Sequence, residues 1–158
     1  MLVDDSPERV DGFDAVYTDQ QLAITRLAYL LVRSQPVAEE LAQEAFLRLY
    51  SGFDEVENPA GFLRTVVVRL ALTWRGRQAM ERDRVARLPR TPDAQPTELD
   101  ETWTAIGRLR PERAVVLVLR FYEDLPNREI ARILDCPEAT VRSRTRRALT
   151  DLRKELER

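Results

Sequence analysis

A chain of 158 residues with a formal charge of −2, one cysteine and no histidine has room for one ordinary domain or two small ones, each with a modest core. The lone Cys136 rules out an internal disulfide framework, and without histidine the usual zinc and acid–base constellations cannot be assembled. The five glycines are not clustered into a phosphate-cradling loop, so neither catalysis nor a metal nor an organic cofactor is expected.

Residues 1–12 are polar and acidic and are expected to form a disordered start. From Phe13, the apolar positions Val16, Tyr17, Ile24, Leu27, Ala28 and Leu31 predict a long amphipathic helix reaching about Arg33. Ser34, Gln35 and Pro36 open a second helix, which buries Val37, Leu41, Ala45, Phe46 and Leu49. Its opposite face carries Glu40, Gln43 and Glu44 in one stripe. Paired carboxylates can do acid–base work, but an open helical surface gives no pocket to shift their pKa values, and most such stripes are solvated.

Residues 51–58 form a short acidic loop containing Gly52. Asn58 then serves as N-cap and Pro59 as the first position of a third helix through Phe62, Leu63, Val66, Val67, Leu70, Ala71 and Trp74. Its outer positions are basic, with Arg64, Arg69, Arg75 and Arg77, followed by Arg82, Arg84 and Arg87. The apolar period fades over 79–97, where Pro89, Pro92 and Pro96 mark a linker.

A capping sequence at Thr97 to Asp100 introduces the stripe Trp103, Ile106 and Leu109. Pro111 opens a helix whose run Ala114 to Leu119 is apolar on all sides, the mark of a central core helix. Arg120, Phe121 and Tyr122 close it before the Glu123-Asp124-Leu125 turn. Ile130, Ala131, Ile133 and Leu134 then repeat at helical spacing, a break falls at Asp135-Cys136-Pro137, and a second set runs Val141, Thr145, Ala148, Leu149 and Leu152. Glu138, Ala139, Arg142 and Arg146 face away from that set, with Arg144 and Arg147 on the shoulders. Two short helices with guanidinium groups on the outer face of the second fit a helix-turn-helix that enters the major groove. The plain alternative is a surface helix of an ordinary bundle with solvated arginines.

Charge is distributed in blocks. Residues 1–60 hold four Arg against twelve carboxylates and 61–90 hold eight Arg against two. Residues 91–125 are acidic by three, and 126–158 basic by three. Two basic segments suggest two contacts with an anionic polymer, and the acidic ones a contact with something else. In the free chain the acidic first domain is expected to cover the basic surfaces. No apolar run approaches membrane-spanning length and no signal segment opens the chain, so a cytoplasmic location is expected.

At this point the residues resemble a family. RPERAVVLVLRFYEDLPNREIARILDCPEATVRSRTRRAL is similar to region four of bacterial sigma factors of the extracytoplasmic-function (ECF) group within the sigma-70 family. AEELAQEAFLRLY and NPAGFLRTVVVRLA resemble two successive region-two helices. The matches fall in both halves in the family's order, and the actinobacterial sigma-E-like subfamily is the nearest expectation.

The resemblance implies an all-α chain of two small helical domains. Region two would span 13–78, the linker 79–97 and region four 98–158, with no control by a C-terminal extension. It implies core RNA polymerase, promoter DNA and an anti-sigma factor as partners, and no membrane or small-molecule substrate. Glu40, Gln43 and Glu44 would dock on the clamp-helix coiled coil of the large polymerase subunit. Asp54, Glu57, Asn58, Arg64 and Arg69 would open and read the minus-ten element as single strand. For the duplex minus-thirty-five element the candidates are Arg120, Asn127, Glu138, Ala139, Thr140, Arg142, Ser143, Arg144, Arg146 and Arg147. Arg142 is the expected base reader, and Arg144 and Arg147 the expected phosphate contacts.

Several positions depart from the family's pattern. Arg69 stands where asparagine is usual and can only donate. Phe62 replaces a tryptophan, Ala139 a glycine and Pro126 a serine, and Glu138 replaces a small apolar residue. Glu138 is either an acceptor for a cytosine amine or a local electrostatic cost. Cys136 reads as a small apolar residue of the turn. Two other readings compete: a dimeric helix-turn-helix regulator that binds an operator, and a decoy that binds polymerase or an anti-sigma protein without directing transcription.

Overall fold

The computed structural model describes residues 4–84 and 101–158, with side chains described through Glu81 in the first stretch. The capping sequence at 97–100 and the stretch 85–97 of the expected linker lie outside the described residues. Among the described residues all regular structure is helical.

Helix α1 spans Pro7–Val32 and ends in a left-handed Arg33, whose N–H caps the Tyr29 carbonyl. It starts six residues before the expected Phe13. Pro7 occupies the first turn, where a missing N–H costs nothing, and the Asp4 carboxylate accepts from the Ser6 N–H just before it. Helix α2 (Gln35–Ser51) buries Ala38, Ala42, Ala45, Phe46 and Leu49, while Val37 and Leu41 are only half-buried. The buried face is turned toward the alanines because their small side chains let α1 and α3 approach the backbone.

A 3-10 turn over Phe53–Glu55 leads to α3, Pro59–Arg84. Asn58 caps α3 as its sequence indicates, its Oδ1 accepting from the Gly61 N–H at 3.1 Å. Because α3 continues to Arg84, residues 79–84 are helix and not linker. Its buried positions Leu63, Val67, Val68 and Ala71 face α1 and α2.

The second half is built around α5 (Pro111–Leu117) and a π turn over Val118–Tyr122. Every residue from Ala114 to Leu119 is fully buried, as the apolar run requires. Helix α4 (Glu101–Gly107) packs on α5 and α7, and α6 (Asn127–Leu134) packs on α7 (Glu138–Leu156). Asp135, at φ 52°, ends α6 in the left-handed region, and Cys136 is half-buried in the turn and packed on the core. In α7 only Val141 and Ala148 are buried, and Leu149, expected on the inner face, is 41 % exposed. An Arg113–Asp151 ion pair ties α5 to the far half of α7.

The two halves share one core: α3 packs on α5 and α6, and α1 packs on α4 and α5. Arginines of the first half add polar bonds across the seam. Arg64 Nε lies 3.2 Å from Glu123 Oε2, Arg69 Nε donates to the Ile133 carbonyl at 3.1 Å, and Arg75 donates to the carbonyls of Gly107 and Leu109. A Cβ at Gly107 would come within 2.8 Å of Arg33 Cδ, so glycine permits this close approach. Burial there pushes the Arg33 guanidinium below its usual value, with Tyr29 opposing and Arg108 adding to the shift.

Candidate nucleic-acid interface

Helices α6 and α7 form the helix-turn-helix. Arg120, Glu138, Ala139, Arg142, Ser143, Arg146 and Arg147 are exposed, while Asn127, Thr140 and Arg144 are half-buried. Arg142, Arg144, Arg146 and Arg147 have no ion-pair partner among the described residues, so α7 offers four uncommitted guanidinium groups along its outer side. Arg120 is instead engaged locally, donating to the Leu125 carbonyl at 3.1 Å. The first-turn Glu138 favours the positive end of the helix dipole.

The first half presents a different surface. Asp54, Glu57 and Asn58 are exposed around the 3-10 turn. Arg64 and Arg69, adjacent to them in the sequence reading, both reach the second half of the chain. The contact between the halves is therefore opposite in sense to the one expected from the charge blocks. Basic α3 docks on Glu123 and backbone carbonyls of the second half, and the recognition-helix arginines remain open. Glu123, in the acidic segment 91–125, is the carboxylate that meets Arg64 of α3.

On α2, Glu40 and Gln43 are exposed and Glu44 is half-buried, its Oε1 accepting from Arg48 at 2.9 Å. Beside this stripe lies an apolar groove of about 350 Å³ lined by Phe13, Tyr17, Gln43, Phe46, Leu47 and Tyr50. Leu47 is 64 % exposed although it sits three and four residues beyond Glu44 and Gln43. The open Leu47 continues the acidic stripe, so this face of α2 exposes an apolar centre with a charged rim. The sequence reading missed Leu47; the helical spacing contains the signal.

It also missed Arg9, which lies in the segment expected to be disordered. Arg9 is buried, bonds Asp54 and the Tyr50 carbonyl, and stacks on the Tyr50 ring. Tyr50 in turn donates to Asp5, a bond that raises its phenol above the ordinary value, with Arg9 acting in the opposite direction.

Comparison with known proteins finds relatives of both halves of the chain. The family model for sigma-70 region 2 matches residues 16–80, and that for sigma-70 region 4 matches 99–152. The RNA polymerase sigma-E factor of Streptomyces coelicolor is 30 % identical, over 91 % of this chain and 85 % of its own length. The RNA polymerase sigma factor SigV of Bacillus subtilis is 29 % identical, over 88 % and 87 %. In fold, the chain is similar to the sigma factor RpoE of Bartonella quintana, solved with the anti-sigma factor NepR. The TM-score is 0.73 at 22 % identity, with 92 % of this chain and 97 % of that one covered. An operator-binding dimer would use α6 and α7 alone and leaves the region 2 match without a role. The chain belongs to the sigma-70 family of RNA polymerase sigma factors, in the ECF group.

Proposed function

We propose that this sigma factor, which binds core RNA polymerase and directs promoter-specific initiation, works by a division of labour between three surfaces. The Glu40, Gln43 and Glu44 stripe, with Leu47 and its groove, docks on the polymerase clamp helices. The loop 51–58 and α3 hold the minus-ten element as single strand, through Asp54, Glu57, Asn58, Arg64 and Arg69. The outer face of α7 reads the minus-thirty-five duplex, Arg142 contacting a base and Arg144 and Arg147 the phosphates. Arg120, Asn127, Glu138, Ala139, Thr140, Ser143 and Arg146 complete that contact.

The observation that carries this reading is the row of four uncommitted arginines on a helix-turn-helix, in the same chain as the acidic, apolar-centred surface of α2. The domain limits 13–78 and 98–158 are proposed with it, the first extended back to Pro7 by the course of α1 and forward to Arg84 by that of α3. We further place the chain near the sigma-E-like branch, on the identity of 30 % to the Streptomyces coelicolor factor, and assign its work to the cytoplasmic polymerase. No helix among the described residues is long and apolar enough to cross a membrane.

Promoter engagement through Arg64 and Arg69 requires them to leave the seam, so binding of promoter DNA and opening of the seam are linked. The test is reconstitution with core polymerase on a promoter fragment, with permanganate reactivity reporting unpaired thymines. Reactivity near minus ten that needs both proteins supports the reading. Duplex binding by the chain alone, without polymerase-dependent opening, would favour an operator-type regulator.

A further inference from the structure

Arg9 stands out among the described residues as the charged residue that is buried, its side chain only 4 % exposed. Its Nε donates to Asp54 Oδ2 at 3.1 Å and its Nη2 to the Tyr50 carbonyl, while its Nη1 is buried with no partner. The guanidinium carbon sits 4.6 Å from the centre of the Tyr50 ring and 5.9 Å from that of Phe53. The neighbouring turn of α1 is fitted to the same loop: a Cβ at Gly12 would lie 3.3 Å from Phe53 Cε1, and the Phe13 ring meets the Phe53 and Tyr50 rings edge-on.

Burying a guanidinium with its Nη1 unpartnered is unfavourable, and an apolar side chain would fill the space at lower cost. What arginine adds is a rigid fork that holds two acceptors at once. Here those acceptors are the end of α2 and the carboxylate of the 3-10 turn. Asp54 is thereby fixed by one oxygen while its side chain remains 63 % exposed. Its charge is compensated by the guanidinium, and its exposed side chain keeps free acceptor capacity.

We propose that Arg9 is a positioning residue for minus-ten recognition: it presents Asp54 as an acceptor to one unstacked base and so selects a base bearing an exocyclic amine over thymine. A carboxylate can only accept. Cytosine, adenine and guanine each offer an amine on their pairing edge, whereas the single N–H of thymine lies between two carbonyl oxygens that repel it. This inference rests on the proposed placement of the minus-ten strand at the loop 51–58.

The test uses holoenzyme assembled from core polymerase and the full chain, selecting from a single-stranded pool randomised across the minus-ten element. Wild type is expected to deplete thymine about tenfold at one position, the discrimination of a good polar base contact. Arg9→Ala and Asp54→Ala should each flatten that position alone, and Asp54→Ala, whose side chain is exposed and outside the α2 groove, should leave polymerase affinity as it was. The double variant should lose no more than either single one, because both remove the same contact. Arg9→Lys, which keeps the charge without the fork, should restore only part of the depletion.

Persistence of thymine depletion in Arg9→Ala overturns the proposal, as does equal flattening at every position. Should Arg9→Ala fail to fold, Arg9→Lys and Asp54→Ala decide, and undiminished depletion in either overturns the proposal. Strand binding by wild type without any thymine-depleted position also overturns it while leaving the minus-ten placement intact. Failure of wild-type holoenzyme to bind the strand overturns that placement itself, and the proposal with it.

Discussion

Replacing Glu123 with alanine should make the free protein a better ligand for single-stranded DNA, although Glu123 touches no DNA in this account. The carboxylate lies 3.2 Å from Arg64 Nε, with side-chain exposures of 18 % for the acid and 28 % for the arginine. A pair this accessible contributes roughly 1 kcal/mol, below the range for charge-assisted bonds in a dry interior. Loss of that amount shifts the ratio of closed to open seam about fivefold. Arg69 and Arg75 continue to hold the seam through backbone carbonyls, so the halves loosen without separating. Arg64 is released, and the affinity of the free chain for a randomised single strand should rise by up to about fivefold. Fluorescence anisotropy at one fixed salt concentration measures this, because phosphate contacts make affinity salt-dependent. Arg64→Ala should lower affinity in the same assay. Unchanged or weaker binding by Glu123→Ala would refute the idea that the seam competes with DNA for Arg64.

Other surfaces make separate predictions. Glu40→Lys combined with Glu44→Lys should abolish co-elution with core polymerase and leave thermal stability nearly unchanged, since the Glu44–Arg48 pair lost is exposed and worth only about 0.3–0.5 kcal/mol. Arg142→Ala should reduce minus-thirty-five discrimination by about 1–3 kcal/mol at one base pair, measured by competition among duplexes; a uniform loss on all sequences would make Arg142 a phosphate contact. Asn58→Ala removes the cap of α3 and should cost about 1 kcal/mol in urea unfolding. Leu117→Ala, at a fully buried position of α5, should cost about 2–5 kcal/mol in the same measurement.

The features legible in the sequence were those set by local physics. The apolar run Ala114 to Leu119, the Asn58-Pro59 start and the break at Asp135 to Pro137 depend on neighbours within a few residues, and each is found where its chemistry places it. Phase was less legible where small residues do the packing. Ala38 and Ala42 carry little apolar signal, yet they determine which side of α2 is closed. Leu149 matched the inner period but lies exposed, because Val141 and Ala148 already complete the buried contact of α7.

Partners distant in the chain were not legible at all. Arg64 and Glu123 are 59 residues apart, and Arg69 and Ile133 are 64 apart. No periodicity reports such a pairing. Arg9 was hidden differently, by an acidic, proline-containing stretch that reads as disordered when its bond to Asp54, 45 residues on, is unknown. Residue types therefore indicated which surfaces could meet DNA, while only the folded chain showed that α3 is occupied by the second half of its own molecule.

Whether this chain directs initiation is decided by transcription with core polymerase carrying no other sigma factor, on fragmented DNA of the source genome with transcript starts mapped. Discrete starts that depend on this chain are expected, each preceded by two shared elements at constant spacing, with loss of those starts in the Glu40→Lys, Glu44→Lys double variant. Absence of chain-dependent starts, with polymerase binding retained, would contradict that role and leave a protein that occupies polymerase without directing it.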